Sequence, residues 1–380
     1  MTSADVRNFN LPFQRKLFVV AHEGSDIGRD RDDVLVIPDK WGMMTEPNAR
    51  FLMTERRWQE VKYNGEGVAV NDIPHLDDGD VVLFSSEGRR LEVLFQSRSE
   101  TNSLYVTNAC NSRCQFCPQP STLDDGQLYD DANAIIDLVD TAGDCVNVTG
   151  GEPTLRRDRF VGLLGHAAEK WPLTKLFILT NGRLLADDSY VDEIYSARSE
   201  ARIGFGVPLY SDAASVHDDV VGVSGAFGQT VRGLYNLSRH RAEIEVRIVV
   251  SKLTYRRLPD LIAFIGRNIP FITRIAVMGL EPMGYCRERW LDFWIDPEDC
   301  AEYLQRASDA ADNYGLTMLL YNFQLCCLPV KLRHLACSTI SEWKRTYLPK
   351  CWSCSMRYDC GGFFASQNEP KYRPRRLMSY

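Results

Sequence analysis

From about residue 103 to about residue 280 the chain repeats one pattern, a short apolar strand-like run followed by a stretch of helical period. That repeat admits few folds, because a strand, a crossover helix and a further strand build a parallel sheet. The strand-like runs are LYVT (104–107), CVNVTG (145–150), KLFILT (175–180), RIGFGVP (202–208), EIEVRIVV (243–250) and ITRIAVMGL (272–280). After the first, Ala132, Ile135, Ile136 and Val139 recur at helical spacing behind the capping candidates Asp130 and Asp131. Six such units predict an α/β fold, a partial (β/α)6 TIM-like barrel over residues 99–315, with its chemistry at the carboxyl ends of the strands.

Residues 1–98 read differently. Runs such as LFVVA (17–21), VLVIP (34–38), VVLF (81–84) and LEVLF (91–95) predict a small β-rich domain, with a hairpin turn at SSEG, and no chemistry can be assigned to it. Residues 316–380 follow a helix expected at 296–313, open on the strand-like LTMLLYN (316–322) and hold six of the 12 cysteines. They predict a separate metal-bearing segment ending in a mobile basic tail, EPKYRPRR.

The first cysteine motif, CNSRCQFCP, follows the first barrel strand. Cys110, Cys114 and Cys117 can reach three corners of one [4Fe–4S] cubane, and nothing local supplies a fourth ligand. The open iron can then chelate the amino and carboxylate groups of S-adenosylmethionine (SAM), so that an injected electron cleaves its S–C5′ bond and yields a 5′-deoxyadenosyl radical. Structural zinc is the competing use of such thiols, but zinc takes four ligands, commonly from paired C-x2-C knuckles. After the second strand comes Gly150-Gly151-Glu152-Pro153-Thr154, where two glycines let backbone approach a ligand; alone it is an ordinary strand-to-helix turn.

At the C-terminal end, Cys351, Cys354 and Cys360 precede Gly361-Gly362-Phe363-Phe364. Three thiolates so spaced suit zinc or a second iron–sulfur cluster about equally. Cys145, Cys286 and Cys300 are expected to be plain buried thiols.

Taken together, the three-cysteine loop, Phe116 and GGEPT resemble the radical SAM superfamily over residues 103 to about 285. The resemblance implies that Gly150, Gly151, Glu152 and Pro153 lie along the SAM amino group and that Phe116 packs near the adenine. It also implies that Thr180, Asn181, Gly182 and Arg183 line the site and that Arg247 contacts SAM, although a surface salt bridge serves Arg247 equally well. The C-terminal trio resembles part of the SPASM/twitch-like extension, which binds an auxiliary [4Fe–4S] cluster. One further SPASM cysteine is replaced by Phe364, so one auxiliary cluster is expected, with Cys326 as its fourth ligand and Cys327 or Cys337 as substitutes.

Longer stretches, among them VPLYSDAASVHD (207–218), MGLEPMGY (278–285) and ISEWKRTYLPKCWSC (340–354), are similar to the His-Xaa-Ser system radical SAM maturases of the HxsC type. That likeness implies a ribosomally made precursor peptide with His-Xaa-Ser repeats as substrate, a second radical SAM maturase as partner and an electron donor such as flavodoxin or ferredoxin. It also implies side-chain modification, such as a crosslink. A small-molecule substrate and a non-catalytic zinc scaffold are the alternatives. His217 and Asp218 are more simply a structural pair than a cofactor contact, and Tyr105, Tyr210, Tyr235, Tyr285 and Tyr321 are more simply core or rim aromatics than relays. No single residue is singled out as the catalytic hydrogen donor.

Charge and composition exclude other classes. With 44 Lys and Arg against 51 Asp and Glu, the net charge of −7 favours neither nucleic acid nor an anionic membrane surface. No run reaches the length of a bilayer span, the N-terminus lacks a secretory pattern, and clustered thiols suit a reducing compartment, so a cytoplasmic location is expected.

Overall fold

The structure, a computed structural model, describes residues 3–377 apart from 12–13, 23–24, 26, 28–32, 39–49, 62–65, 73–74, 125 and 342–343. Its described residues fall into two compact units, one of residues 1–106, 126–147 and 165–174, the other of 107–125, 148–164 and 175–380.

In the first unit, strands β1 (Ser3–Asn10), β2 (Arg15–His22), β3 (Val34–Ile37), β4 (Arg50–Thr54), β5 (Gly67–Val70), β6 (Val81–Ser85) and β7 (Arg90–Phe95) close into a barrel of order β1-β5-β4-β3-β2-β6-β7. Strands β2 to β5 pair in parallel, and β6 pairs with β7 as an antiparallel hairpin. Both faces of the parallel strands are buried. Phe18, Val20, Leu35, Leu52 and Phe84 share one core, while Val34, Val36, Phe51 and Met53 pack with Trp58 from helix α1 (Glu55–Val61) in another. Strands buried on both faces read as continuous apolar runs rather than alternating ones, the pattern seen at 17–21 and 34–38.

After β8 (Ser103–Tyr105), helix α2 (Gln127–Leu138) buries Ala132, Ile135 and Ile136, the stripe expected from their spacing. Its start differs from the expectation. Gly126 caps it in the left-handed region at φ 90°, so Asp130 and Asp131 lie inside the first turns. Asp131 is buried and instead takes a two-point ion pair from Arg15, with Nη1–Oδ1 at 2.6 Å.

The elements that follow are β9 (Cys145–Thr149), α3 (Arg157–Lys170), β10 (Lys175–Leu179), α4 (Asp188–Ala197), β11 (Ile203–Pro208), α5 (Ala214–Val221), α6 (Ala226–Ser238), β12 (Glu243–Val249), α7 (Leu258–Asn268) and β13 (Arg274–Met278). Two short helices, α8 (Tyr285–Glu288) and α9 (Trp290–Phe293), then precede α10 (Pro297–Asn313), β14 (Met318–Tyr321), β15 (Ala336–Cys337) and a two-stranded ribbon of β16 (Arg345–Thr346) and β17 (Phe363–Phe364). Strands β8 to β15 occur in sequence order in one sheet, and the pairs from β10 to β15 are parallel.

Two expectations need correction here. The sheet has eight strands rather than six, because after α10 the β/α repeat continues: Ala276 of β13 pairs with Leu319 of β14. Residues 316–377 therefore belong to the same compact unit as β10 to β13 and are not a segment apart. Nor is the basic tail loose. Tyr372 is buried edge-on to Trp290, whose Nε1 donates to the Lys371 carbonyl at 2.9 Å, and the Arg375 amide donates to Asp296 at 2.8 Å. Asp296 and Asp299 open helix α10, so the tail arginines meet a cluster of carboxylates.

Candidate functional site

Cys110, Cys114 and Cys117 lie on the loop 107–125, and each thiol is half-buried. They are close enough to repel one another as anions. Burial first, then Cys117 and Cys110, push the Cys114 thiol up to about 12; burial also raises Cys110 and Cys117. Among the described residues no three His, Cys, Asp or Glu are drawn around a single point as one ion would require. Three separated thiols that only a shared positive charge would turn into thiolates fit the corners of an iron–sulfur cubane.

Helix α5 holds this loop like a splint. The amides of Arg113 and Gln115 donate to the carbonyls of Val221 and Val220, both at 2.9 Å, and Gln115 Nε2 donates to the Asp219 carbonyl at 2.8 Å. On the other side, the amides of Gly151 and Glu152 donate to the carbonyls of Thr107 and Ala109 at 2.7 and 2.8 Å. The glycines of GGEPT are needed for this approach: a Cβ on Gly150 would lie 2.4 Å from the Thr107 carbonyl oxygen, and one on Gly151 2.3 Å from that of Ala109. Pro153, buried, then opens a short 3-10 turn.

The Glu152 side chain has a use that the resemblance does not imply. It is fully buried, and its Oε1 accepts from the Thr154 amide at 3.0 Å and from the hydroxyls of Thr154 and Thr180, both at 2.6 Å. Its Oε2 accepts from the Asn181 amide at 2.7 Å. Burial pushes its pKa up while these donors pull it down. Glu152 thus fastens the end of β9 to the end of β10. Asn181 carries the tie onward, with Nδ2 donating to Asn111 Oδ1 at 2.7 Å and lying 3.9 Å from Cys110 Sγ. Arg183 completes it by donating to the Asn111 carbonyl and to Ser112 Oγ.

Phe116 packs beneath the same loop. At 5% exposure it is wedged edge-on between Tyr210 and Phe293, with ring centroids 5.3 and 5.8 Å away, in a core that includes Val220, Val221 and Trp290. An apolar ring preceding the third cysteine serves there as the floor of the loop.

His217 and Asp218 do not pair with each other. Asp218 accepts from the amides of Gly225 and Phe227 at the start of α6, at 2.6 and 2.8 Å. His217 Nδ1 accepts from the Tyr210 amide at 3.2 Å, which puts the ring proton on Nε2, a buried atom with no partner among the described residues. Burial lowers the His217 pKa to about 4 from 6.5. Because the folded state holds it neutral while the unfolded chain binds a proton, stability falls as pH drops from about 6.5 to about 4, by roughly 3 kcal/mol in total. His217→Gln keeps an acceptor but cannot titrate, so its thermal midpoint should fall less than that of the parent between pH 7 and pH 5; equal falls would remove His217 as the cause.

Arg247 of β12 does not stand on the surface. Its Nε is 3.4 Å from Glu245 Oε1, and its side chain is 23% exposed. The other Glu245 oxygen accepts from Arg274 at 2.6 Å and from the Tyr321 hydroxyl at 3.1 Å, while Glu243 pairs with Lys175 and Arg274. Glu245 is 3% exposed. This charged layer of Lys175, Glu243, Glu245 and Arg274 was missed from the sequence. Its signal was there: charges at alternate positions of a strand expected to be apolar.

In the C-terminal part, Cys326, Cys351, Cys354 and Cys360 line one cavity together with Gln324 and Arg357. Cys327 does not line that cavity, but its Sγ lies 3.8 Å from that of Cys326 and 3.6 Å from the Arg376 carbonyl, while Cys337 lies near Arg274. Cys286 and Cys300 are buried thiols, whereas Cys145 is only half-buried. Of the tyrosines, Tyr210 is buried beside the loop thiols, Tyr105 is half-buried, and Tyr235 and Tyr285 are exposed. No described helix is long and apolar enough to cross a membrane.

The family model of the radical SAM superfamily matches residues 104–265. An AdoMet-dependent heme synthase of Nitratidesulfovibrio vulgaris is 29% identical over 160 residues, 41% of this chain and 42% of that protein. A GTP 3′,8-cyclase of Peptoclostridium acidaminophilum is 30% identical over 126 residues, 32% of this chain and 35% of that one. The chain thus spans less than half the length of these curated relatives. Streptococcus suis SuiB bound to S-adenosylmethionine aligns over 60% of this chain and 48% of its own at a TM-score of 0.44 and 18% identity.

Proposed function

Residues 104–265 being a radical SAM domain, whose cofactors are a [4Fe–4S] cluster and SAM, we propose that this chain oxidatively modifies side chains of a ribosomally made His-Xaa-Ser peptide. The observation that carries the oxidative part is the single cavity lined by Cys326, Cys351, Cys354 and Cys360. When bound, the cluster and SAM supply a 5′-deoxyadenosyl radical that takes hydrogen from an unactivated carbon.

The chain's own residues do the rest. Cys110, Cys114 and Cys117 would hold three irons, while Glu152, Asn181 and Arg183 keep their loop in place. The Phe116 and Tyr210 rings close off the loop's underside from water. Arg247, held by a single long contact, has donor capacity left for a carboxylate. The four C-terminal thiols would hold an auxiliary cluster, which would supply an acceptor for the second electron removed from the peptide. The enzyme works in the cytoplasm with a low-potential donor such as flavodoxin or ferredoxin, beside a second maturase of the same system.

Cys354→Ala tests the reading. Iron should fall from about eight to about four per chain, and 5′-deoxyadenosine should still form while the mass change of a co-expressed His-Xaa-Ser peptide disappears. Loss of SAM cleavage along with product would mean that the C-terminal site serves folding alone. A second reading keeps the radical chemistry and gives it a small-molecule substrate, in line with the names of the heme synthase and GTP cyclase relatives. Turnover of a metabolite with no peptide present would decide for it.

A further inference from the structure

Residues 316–380 carry ten Lys and Arg against three Asp and Glu, so a chain of net charge −7 concentrates +7 there and leaves −14 elsewhere. Several of these cations are not spent on carboxylates. Lys350 Nζ donates to the Leu377 carbonyl at 3.0 Å, and Arg373 donates to the carbonyls of Gln367, at 2.9 Å, and Asn368. Arg357 lies over two rings at once, 4.6 Å from the centroid of Trp352 and 4.7 Å from that of Tyr358. Both rings are exposed to solvent, Trp352 at 67% and Tyr358 at 85%.

An exposed Trp-Arg-Tyr stack is costly to leave in water and is the composition that dominates binding energy at protein interfaces. Its position adds the functional content. Trp352 lies between Cys351 and Cys354, Tyr358 two residues before Cys360, and Arg357 also lines the cavity that those cysteines share with Cys326. The stack is therefore the outer side of the ligand loop itself. A substrate has to reach the Cys110 loop; an electron carrier has only to come close to a cluster.

We propose that this face docks a small acidic electron-carrier protein that exchanges single electrons with the C-terminal cluster, an inference that rests on the reading of that cavity as a cluster site. In each exchange the reduced cluster loses one electron and the oxidised carrier gains it, with no bond to the chain made or broken. Positive charge around an aromatic centre speeds encounter with an acidic partner and makes binding fall with salt, while the rings set the lifetime of the complex.

The test uses the anaerobically reconstituted full chain and a [2Fe–2S] ferredoxin of strongly negative net charge, with basic cytochrome c as the opposite-charge control. Dissociation constants are measured by biolayer interferometry at low and high salt. Ferredoxin should bind and cytochrome c should not. The paired variants Trp352→Ala with Tyr358→Ala, and Lys350→Glu with Arg373→Glu, should each weaken binding about tenfold or more, while Arg56→Glu on α1 leaves it unchanged. Salt-independent binding, or binding that neither pair weakens, overturns the proposal, as does an oligoglutamate peptide that binds as tightly and displaces the ferredoxin.

Iron content of the same samples separates the two ideas. About eight irons without ferredoxin binding sinks the docking face and leaves the second cluster standing. About four irons with ferredoxin still bound sinks the cluster and the electron exchange, and leaves a docking face alone.

Discussion

Cys110→Ala yields a folded chain with about four fewer irons and no 5′-deoxyadenosine above background. The thiols of Cys110, Cys114 and Cys117 are each raised by burial, and Cys110 and Cys114 also by their neighbours, so only a group of positive charge can hold all three as thiolates. Removing one leaves two attachment points for a cubane that needs three, and the open iron that would hold SAM goes with it. The fold should survive. The Cys110 thiol is half-buried and accepts two weak bonds, from the Ser112 amide at 3.4 Å and from Asn181 Nδ2 at 3.9 Å, whereas the loop is held by α5 and by the Gly151 and Glu152 amides. Iron assay, 5′-deoxyadenosine chromatography and circular dichroism on one preparation check all three statements. Cys286→Ala, which empties a buried site in the apolar core behind the loop, is the control: it should lower stability and leave the iron in place. Equal iron loss in both variants would mean that the cysteines act through folding and not as ligands.

Glu152→Ala is expected to destabilise the apo chain by about 3–5 kcal/mol, a large share of the stability of a domain. The carboxylate accepts four hydrogen bonds with no exposure to water, and alanine leaves the amides of Thr154 and Asn181 without acceptors in the interior. The two threonine hydroxyls can rotate; the amides cannot. Glu152→Gln should cost less, about 1–2 kcal/mol, because its carboxamide oxygen still serves the Thr154 and Thr180 side, but its NH2 then confronts the Asn181 N–H. Denaturant midpoints of the two variants check the order. The tie also runs through Asn181 to Asn111 and the Cys110 loop, so Glu152→Ala should hold its iron less firmly against a chelator than Glu152→Gln does. An alanine variant with the parent's midpoint would show that Glu152 is not the fastener.

The parallel sheet could be read from the sequence because each strand of the repeat is apolar and each helix between strands has its own period; α2 buries the stripe its spacing predicts. The N-terminal barrel was only partly legible. β1 (SADVRNFN) carries too few apolar residues to register as a strand, and β4 and β5 run to only five and four residues. They form because a closed barrel supplies hydrogen-bond partners on both edges, a gain that no local window contains.

By itself the sequence determined that three thiols lie on one loop after a strand, that glycines approach that loop from the next strand, and that a second set of thiols lies near the C-terminal end. These are matters of spacing, and spacing is local. The tertiary structure decided what each side chain faces. It turned Glu152 inward as a fastener and Phe116 into the core, separated His217 from Asp218, and put Glu245, Arg247, Arg274 and Tyr321 in one layer. It also brought Cys326 to Cys351, Cys354 and Cys360 around one cavity, with the Cys327 sulfur against that of Cys326. Partners more than two dozen residues apart meet only when the chain between them has folded.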